Sequence, residues 1–175
     1  REKTIYYVDR DSDYTGAWAI CGWDLAPDLY WESTNPYALN GEAETVPVKS
    51  LPDAELDPYY TAFETADKSI RYSFTKVGND LYTIENEANG KYLAMDGNLQ
   101  IVFTEEVTEA ARWKVTKAEN SYSTLIFNAA QKNYFLAYDY EEGVFAMMDD
   151  NGPKVDGYRP SQLYVAVLYR ADDYV

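Results

Sequence analysis

The chain contains no histidine, and this absence excludes several common kinds of active site. Serine–histidine and cysteine–histidine nucleophiles, histidine metal sites and histidine proton relays all need an imidazole. Cys21 is the single cysteine, so neither an intrachain disulfide nor a multi-cysteine zinc site can form. Its apolar setting, "AWAICGW", predicts a buried and inert thiol. Carboxylates therefore remain as the acid–base pairs on which catalysis would depend.

Positive charge is also scarce, because 15 lysines and arginines face 30 acidic residues and leave a formal net charge of −15. Such a field repels phosphate backbones and anionic lipid surfaces, so we expect no nucleic-acid partner. The sequence also lacks an apolar run long enough to cross a bilayer, and we expect no membrane insertion.

Aromatic residues are plentiful, with 18 tyrosines, 6 phenylalanines and 4 tryptophans, and they recur in a repeat. The segment "YSFTKVGNDLYTIENEANGKYLAMDG" (72–97) resembles "WKVTKAENSYSTLIFNAAQKNYFLAYDY" (113–140). With two short insertions, Tyr72 aligns with Trp113 and Asn86 with Asn128. Each unit contains four short alternating segments separated by turn residues such as Asn-Gly, which predicts four strands per unit and an all-β barrel or sandwich. A last segment, "SQLYVAVLYR" (161–170), is expected to pair with "GAWAICGW" (16–23), whereas "LPDAELDPYYTAFETAD" (51–67) is expected to contain a helical turn or two.

The stretch "YTIENEANGKYLAMDG…ARWKVTK" is similar to the repeating unit of ricin-type β-trefoils, in which a Gly-Lys-Tyr-Leu hairpin precedes the tryptophan that opens the next unit. The resemblance covers about residues 15–170 and implies a β-trefoil-like barrel of about three four-stranded repeats. It divides the chain into a short N-terminal extension (1–14) and one domain (15–175), with a degenerate first repeat (15–71), a second (72–112) and a third (113–170). The chain also resembles the trefoil-like modules of secreted, multidomain proteins of gut bacteria, which implies a secreted or cell-surface location within a larger chain.

Two departures from the ricin-type pattern concern the sugar site. Ala111 stands where that family has a glutamine two positions before the tryptophan, and Ala94 and Ala137 stand where it has a sugar-binding aspartate. Asp96 and Asp139 lie two residues further on, which in a strand returns them to the same face. The usual galactose-type site is therefore not implied. These two aspartates are candidate ligand-binding residues at a position further along the strand.

An aromatic loop supplies the other candidate binding residues, Trp23, Tyr30, Trp31 and Tyr37. Exposed flat rings stack on the apolar faces of sugars or anchor protein interfaces. The other interpretation is that these rings close one end of the barrel and belong to the core.

Two acidic segments are candidate cation sites. "DRDSDYTGAW" places Asp9, Asp11 and Asp13 at alternate positions, as in a calcium loop. However, Tyr14 stands where an EF-hand needs glycine and Ile20 where it needs glutamate, so an acidic turn is favoured over a surface calcium site and no cofactor is expected. The loop "MMDDNGPKVDGYRP" (147–160) has turn chemistry, and a solvated loop is likewise favoured there over a site for a cation.

These observations favour a non-catalytic extracellular module that recognises carbohydrate or another surface ligand through its aromatic loops. One alternative is a structural or adhesive domain that contacts an extracellular protein. A second is a glycosidase that uses a carboxylate pair, for which Glu32 and Glu42 flank the aromatic loop.

Overall fold

The computed structural model describes residues 3–8, 13–23, 36–48, 51, 62–118 and 123–173. In these ranges almost all of the regular elements are strands, and the predicted all-β class is confirmed. The strands are β1 (Thr4–Val8), β2 (Gly16–Gly22), β3 (Tyr37–Leu39), β4 (Thr45–Pro47), β5 (Ala62–Thr65), β6 (Tyr72–Gly78), β7 (Leu81–Asn86), β8 (Tyr92–Met95), β9 (Ile101–Thr104), β10 (Arg112–Lys117), β11 (Thr124–Asn128), β12 (Tyr134–Asp139), β13 (Val144–Asp149) and β14 (Val167–Asp173). Two 3-10 turns (Lys68–Ile70 and Glu109–Ala111) and one short helix, α1 (Pro160–Leu163), complete the described elements.

Alternation along the strands separates a core face from an outer face. In β10, Trp113 and Val115 are buried whereas Lys114 between them is exposed. The same period of two places Tyr72 and Phe74 of β6 in the core. These strands contribute to the core through every second side chain, whereas β2 and β12 are buried at four or more consecutive positions.

Six strands pair in the order β14-β2-β6-β7-β10-β11, and every pairing is antiparallel. The two ends of this row of strands, β11 and β14, come close to each other. Thr124 in β11 donates a backbone hydrogen bond of 2.8 Å to Ala166, the residue before β14. Three hairpins attach to it: β3–β4 on β2, β8–β9 on β7 and β12–β13 on β11. The expected pairing of the last segment with β2 is confirmed, with Val167 opposite Cys21, although Pro160–Leu163 at its start form α1 instead of strand.

The N-terminal segment adds a strand to this sheet. β1 pairs with β14 on one side and with β5 on the other. Tyr6 stacks on Phe63 at 4.9 Å, and Phe63 contacts Tyr169 at 5.1 Å, so the three rings form a second small core. The expectation of helical character is wrong for Ala62–Thr65, because pairing with β1 makes this segment a strand; residues 52–61 lie outside the described ranges.

Aromatic side chains with polar tips connect the main core to the hairpins. Trp113 donates its indole N–H to the Leu93 carbonyl at 2.9 Å, and the Tyr72 hydroxyl donates to the carbonyls of Leu39 at 3.1 Å and Asn40 at 3.0 Å. Both rings are fully buried, so these bonds satisfy groups that water cannot reach. Cys21 is also fully buried, and the loss of solvation raises the pKa of its thiol well above the usual value, as expected for an inert cysteine.

In the part of the chain that the structure describes, no helix has the length and apolar character needed to span a membrane.

Candidate functional site

The outer face of the sheet carries a concave groove where β7, β10 and β11 lie side by side. We call it the Phe127 groove, and its volume is about 630 Å³. This volume lies within the range of about 300–1,000 Å³ that is usual for small-molecule sites. Its lining residues are Asn79, Leu81, Glu109, Lys114, Thr116, Leu125, Phe127, Asn128, Ala129 and Lys132.

The floor of the groove follows from strand register. Leu81 of β7 and Phe127 of β11 both lie directly opposite Lys114 of β10, so the three form one row across the sheet. Leu125 pairs with Thr116 in the next row on the same face. Phe127 is half-buried and packs against Phe135, with ring centres 5.7 Å apart and planes at 47°. The result is an apolar strip with one supported aromatic ring.

Asn128 hydrogen-bonds the two turns that flank the groove, the 3-10 turn at Glu109 and the turn after β11. Its side-chain amide donates to the Ala110 carbonyl at 2.9 Å, within the 3-10 turn that begins at Glu109. Its amide oxygen accepts two backbone N–H bonds, at 2.9 and 3.2 Å, from the turn after β11 that carries Lys132. Because Asn128 is 1% exposed, these bonds replace solvent and fix both turns.

The groove offers an aromatic floor and a polar rim. Asn79, Glu109 and Thr116 provide hydrogen-bonding oxygens, and Lys114 and Lys132 provide ammonium donors. Such a combination can hold a ligand that has an apolar face and polar edges. Glycosidases need two facing carboxylates, and the residues that line this groove include one, Glu109.

The described parts of the predicted aromatic loop contact the core. Trp23 donates its indole N–H to the Tyr169 hydroxyl at 2.8 Å and packs against the second core. Tyr37 stacks on Tyr138 with ring centres 6.0 Å apart and an angle of 14°. Tyr30 and Trp31 lie outside the described residues. Binding by this loop therefore stays a prediction, and its two described rings are held by contacts with core residues.

Asp96 and Asp139 lie at equivalent turns, and each carboxylate accepts backbone hydrogen bonds. One oxygen of Asp96 accepts from two N–H groups of the following turn at 2.9 Å each, and one oxygen of Asp139 does so at 3.0 and 3.2 Å. Asn40 accepts two such bonds at 2.9 Å after β3. The structure thus gives these side chains a role in ending a hairpin strand, and sugar binding by Asp96 and Asp139 stays a prediction.

Of the three aspartates considered for calcium, Asp13 is described, and Asp9 and Asp11 lie outside the described residues. Asp13 is exposed and accepts the Thr15 backbone N–H at 3.0 Å, and this bond lowers the pKa of its carboxyl below the usual value. Among the described residues no group of three or more acidic or cysteine side chains is arranged to hold a metal ion.

The second acidic loop contains an ion pair with a buried carboxylate. Asp150 is 4% exposed, pairs with the Arg159 guanidinium and accepts the Ser161 N–H at 2.9 Å. The carboxylate of Asp150 therefore anchors the loop. The residues between Asn151 and Arg159, among them Asp156, are mostly exposed, as predicted for a solvated loop.

The carboxylate pair proposed for catalysis is described in part. Glu42 is exposed, and a hydrogen bond shared with Glu44, followed by repulsion between the two charges, raises the pKa of its carboxyl. Glu32 lies outside the described residues, so the pair stays a prediction.

Sequence reasoning did not find the Phe127 groove, although the repeat contained a signal. Register places Phe127 opposite Lys114 and Glu85 opposite Ser73, at equivalent positions of two successive strand pairs. An outward phenylalanine in one unit where the other has a glutamate is unusual for a solvated strand face.

The class of protein that these observations define is all-β, and the fold is similar to several solved structures. A lectin from Polyporus squamosus, solved with the human-type influenza-binding epitope Neu5Acα2-6Galβ1-4GlcNAc, matches with a TM-score of 0.53 and 13% identity over 90% of this chain and 50% of that one. An endo-β-galactosidase from Clostridium perfringens that releases GlcNAcα1-4Gal matches with a TM-score of 0.55 and 15% identity over 91% of this chain and 34% of that one. A PSL1a–E64 complex matches with a TM-score of 0.53 and 14% identity over 89% of this chain and 49% of that one.

At this identity the similarity shows the fold alone. This chain spans at most half the length of each of these three proteins. No family model matches the sequence, and no curated protein matches it significantly. Membership among the ricin-type modules of gut bacteria therefore stays a prediction.

Proposed function

We propose that the chain is a non-catalytic carbohydrate-binding module of a larger secreted or cell-surface protein, and that the Phe127 groove holds the saccharide. The observation that carries this proposal is the supported aromatic ring on the floor of a concave, polar-rimmed groove. Sugars present C–H groups on one face and hydroxyls around the edge. Phe127 would contact the apolar face, while Glu109, Asn79 and the lysines would exchange hydrogen bonds with the hydroxyls.

The fold supports the same assignment at a coarser level. A lectin solved with a glycan and an endo-β-galactosidase share it, and both names denote proteins that act on saccharides. We further propose that the fold is a β-trefoil of three units. Three strand pairs (β14/β2, β6/β7 and β10/β11) with one hairpin each agree with this, as do the equivalent turn residues Asn40, Asp96 and Asp139.

The test is a glycan array probed with the purified chain, followed by calorimetric titration of every glycan that binds. Phe127→Ala should weaken binding by about tenfold or more, as is typical for a central aromatic contact. Because Phe127 is half-buried, Phe127→Leu serves as a second variant that keeps apolar bulk and removes the ring. Tyr158→Ala is the matched control, since Tyr158 is 53% exposed and does not line the groove.

Other results of these experiments would support a different site or a different function. Binding lost in Trp31→Ala but retained in Phe127→Ala would move the site to the aromatic loop, and loss with a chelator would assign calcium to Asp9, Asp11 and Asp13. A blank array together with a stable protein complex would favour the adhesive domain. Glycan cleavage abolished by replacing Glu32 or Glu42 would establish a hydrolase.

A further inference from the structure

We propose that the Phe127 groove selects saccharides that carry a negatively charged substituent, a carboxylate or a sulfate, and that Lys114 and Lys132 recognise this group. The inference rests on the proposed function and specifies its ligand class. The charge of the groove lining differs in sign from the charge of the whole chain. The whole chain has a formal net charge of −15, yet the groove is lined by two lysines and one carboxylate, Glu109.

Lys114 is placed by register at the middle of the groove floor. Its backbone lies opposite both Leu81 and Phe127, on the outward face of a central strand. Long lysine stems pack along apolar neighbours and leave the ammonium in water. The charge of Lys114 is therefore presented beside the aromatic ring against which a sugar would lie.

Lys132 reaches the same groove from the turn after β11. Asn128 fixes that turn through two backbone hydrogen bonds, so the base of the Lys132 side chain has a defined position. Both lysines are exposed, and within the described ranges neither ammonium forms an ion pair. Both charges are thus available to an anion without first breaking an internal contact.

The equivalent surface of the preceding strand pair differs in the residues on its two strands. Ser73 and Glu85 occupy the places of Lys114 and Phe127. Arg71, just before that strand pair, is bound by Glu87 at 2.5 Å, whereas Lys91 of the equivalent turn forms no ion pair within the described ranges. The same backbone frame thus carries a serine and a glutamate on the strands of one unit and a lysine beside a phenylalanine on those of the next.

Glu109 has a compatible role in this arrangement. A carboxylate accepts hydrogen bonds from sugar hydroxyls, and it would repel an anionic substituent placed beside it. It would therefore orient the saccharide so that the hydroxyl edge faces Glu109 and the charged group faces the lysines. This orientation is what distinguishes an acidic saccharide from a simple polyanion.

The experiment compares matched glycans on the intact chain. The array carries neutral glycans, the same backbones with a uronate carboxylate, and the same backbones with a sulfate. We expect the charged forms to bind at least about fivefold more tightly than their neutral counterparts, since each exposed ion pair contributes modestly. Preference for the carboxylate or for the sulfate series distinguishes the two sources of charge. Affinity for charged forms should fall between about 0.01 M and about 0.15 M salt, as the screening length shrinks from about 30 Å to about 8 Å.

Variants separate charge recognition from binding in general. Lys114→Gln with Lys132→Gln should remove most of the preference, because the amide can still hydrogen-bond sugar hydroxyls but carries no charge. Affinity for the charged glycan should therefore fall by more than affinity for its neutral counterpart. Lys76→Gln and Lys91→Gln are the matched controls, because Lys76 is an exposed strand lysine and Lys91 lies in the equivalent turn, and neither lines the groove. Both controls should retain the preference.

Equal binding of neutral and charged forms, or a preference that survives in the double variant, would overturn the inference while leaving the proposed function intact. A preference lost equally in the control variants would also overturn it, because the selection would then reflect overall charge. A blank array would overturn both proposals.

Discussion

Asn86 and Asn128 make the same hydrogen bonds in two successive units of the sheet. Asn86 donates its side-chain amide to the Ser69 carbonyl at 2.8 Å, and Asn128 donates to the Ala110 carbonyl at 2.9 Å. The amide oxygen of each also accepts two backbone N–H bonds from the turn that follows its strand. One side chain in each unit thus joins a 3-10 turn to a hairpin turn, but only Asn128 does so at the wall of the Phe127 groove.

Replacing these two asparagines should separate stability from binding. Asn86→Ala and Asn128→Ala should each lower the free energy of unfolding by about 1–3 kcal/mol, because each removes three hydrogen bonds between a buried side chain and the backbone of two turns. Only Asn128→Ala should also weaken glycan binding. Urea unfolding and calorimetric titration measure the two effects, and equal loss of binding in both variants would contradict a local role for Asn128.

Gly22 lies against the ring of Tyr138 with no room for a side chain. A Cβ at this position would lie 2.0 Å from the Tyr138 Cγ, whereas a Cβ at Gly97 would meet nothing within 4 Å. Gly22→Ala should therefore lower the free energy of unfolding by at least about 2 kcal/mol, because the ring must move within a packed core. Gly97→Ala should change it by less than about 0.5 kcal/mol. Parallel urea unfolding curves for the two variants provide the comparison, and similar midpoints would show that Tyr138 moves without cost.

The ion pair between Asp150 and Arg159 should respond unequally to removal of its two partners. The Asp150 side chain is 3% exposed and that of Arg159 is 57% exposed. Arg159→Gln leaves a buried carboxylate without its cation and should cost about 3 kcal/mol, whereas Asp150→Asn returns the guanidinium to water and should cost about 1 kcal/mol. Thermal or urea unfolding at neutral pH measures both, and a larger cost for Asp150→Asn would mean that the hydrogen bond to Ser161 depends on the charge.

Folding should shift the pKa values of two exposed carboxyls in opposite directions. The Thr15 backbone N–H lowers the pKa of Asp13 in the folded chain, so its contribution to stability is present above the unfolded pKa and lost as the pH falls through the folded pKa. The hydrogen bond with Glu44 raises the pKa of Glu42, so its contribution is present at acidic pH and lost as the pH rises through the folded pKa. Carbon-detected NMR titration of the side-chain carboxyls measures both values.

Glu44→Ala removes the partner of Glu42 and should return the Glu42 pKa toward its ordinary value, while the Asp13 pKa stays low. A raised Glu42 pKa that persists in this variant would assign the shift to another neighbour.

The sequence by itself determined the all-β class and the match between Asn86 and Asn128, which make equivalent hydrogen bonds in the structure. These are local properties, because alternation, turn residues and the Tyr72/Trp113 and Asn86/Asn128 matches can be read from short segments. The closing contact of β14 with β2 was also predictable, since both segments are apolar and a sheet leaves its edge strands unpaired until they meet. Pairing with β1 overrode the helical expectation at Ala62–Thr65, because that partner comes from a distant part of the chain.

Only the tertiary structure decided where the candidate site lies. The segment "TLIF" before Asn128 is apolar on both of its faces, so alternation could not tell that Ile126 points inward and that Phe127 lines a groove. The residues of the groove come from three separate parts of the chain, near 79–81, 109–116 and 125–132, and they meet because antiparallel register aligns β7, β10 and β11. Strand register depends on which segments pair across the whole sheet, and that is a property of the folded chain and not of any one segment.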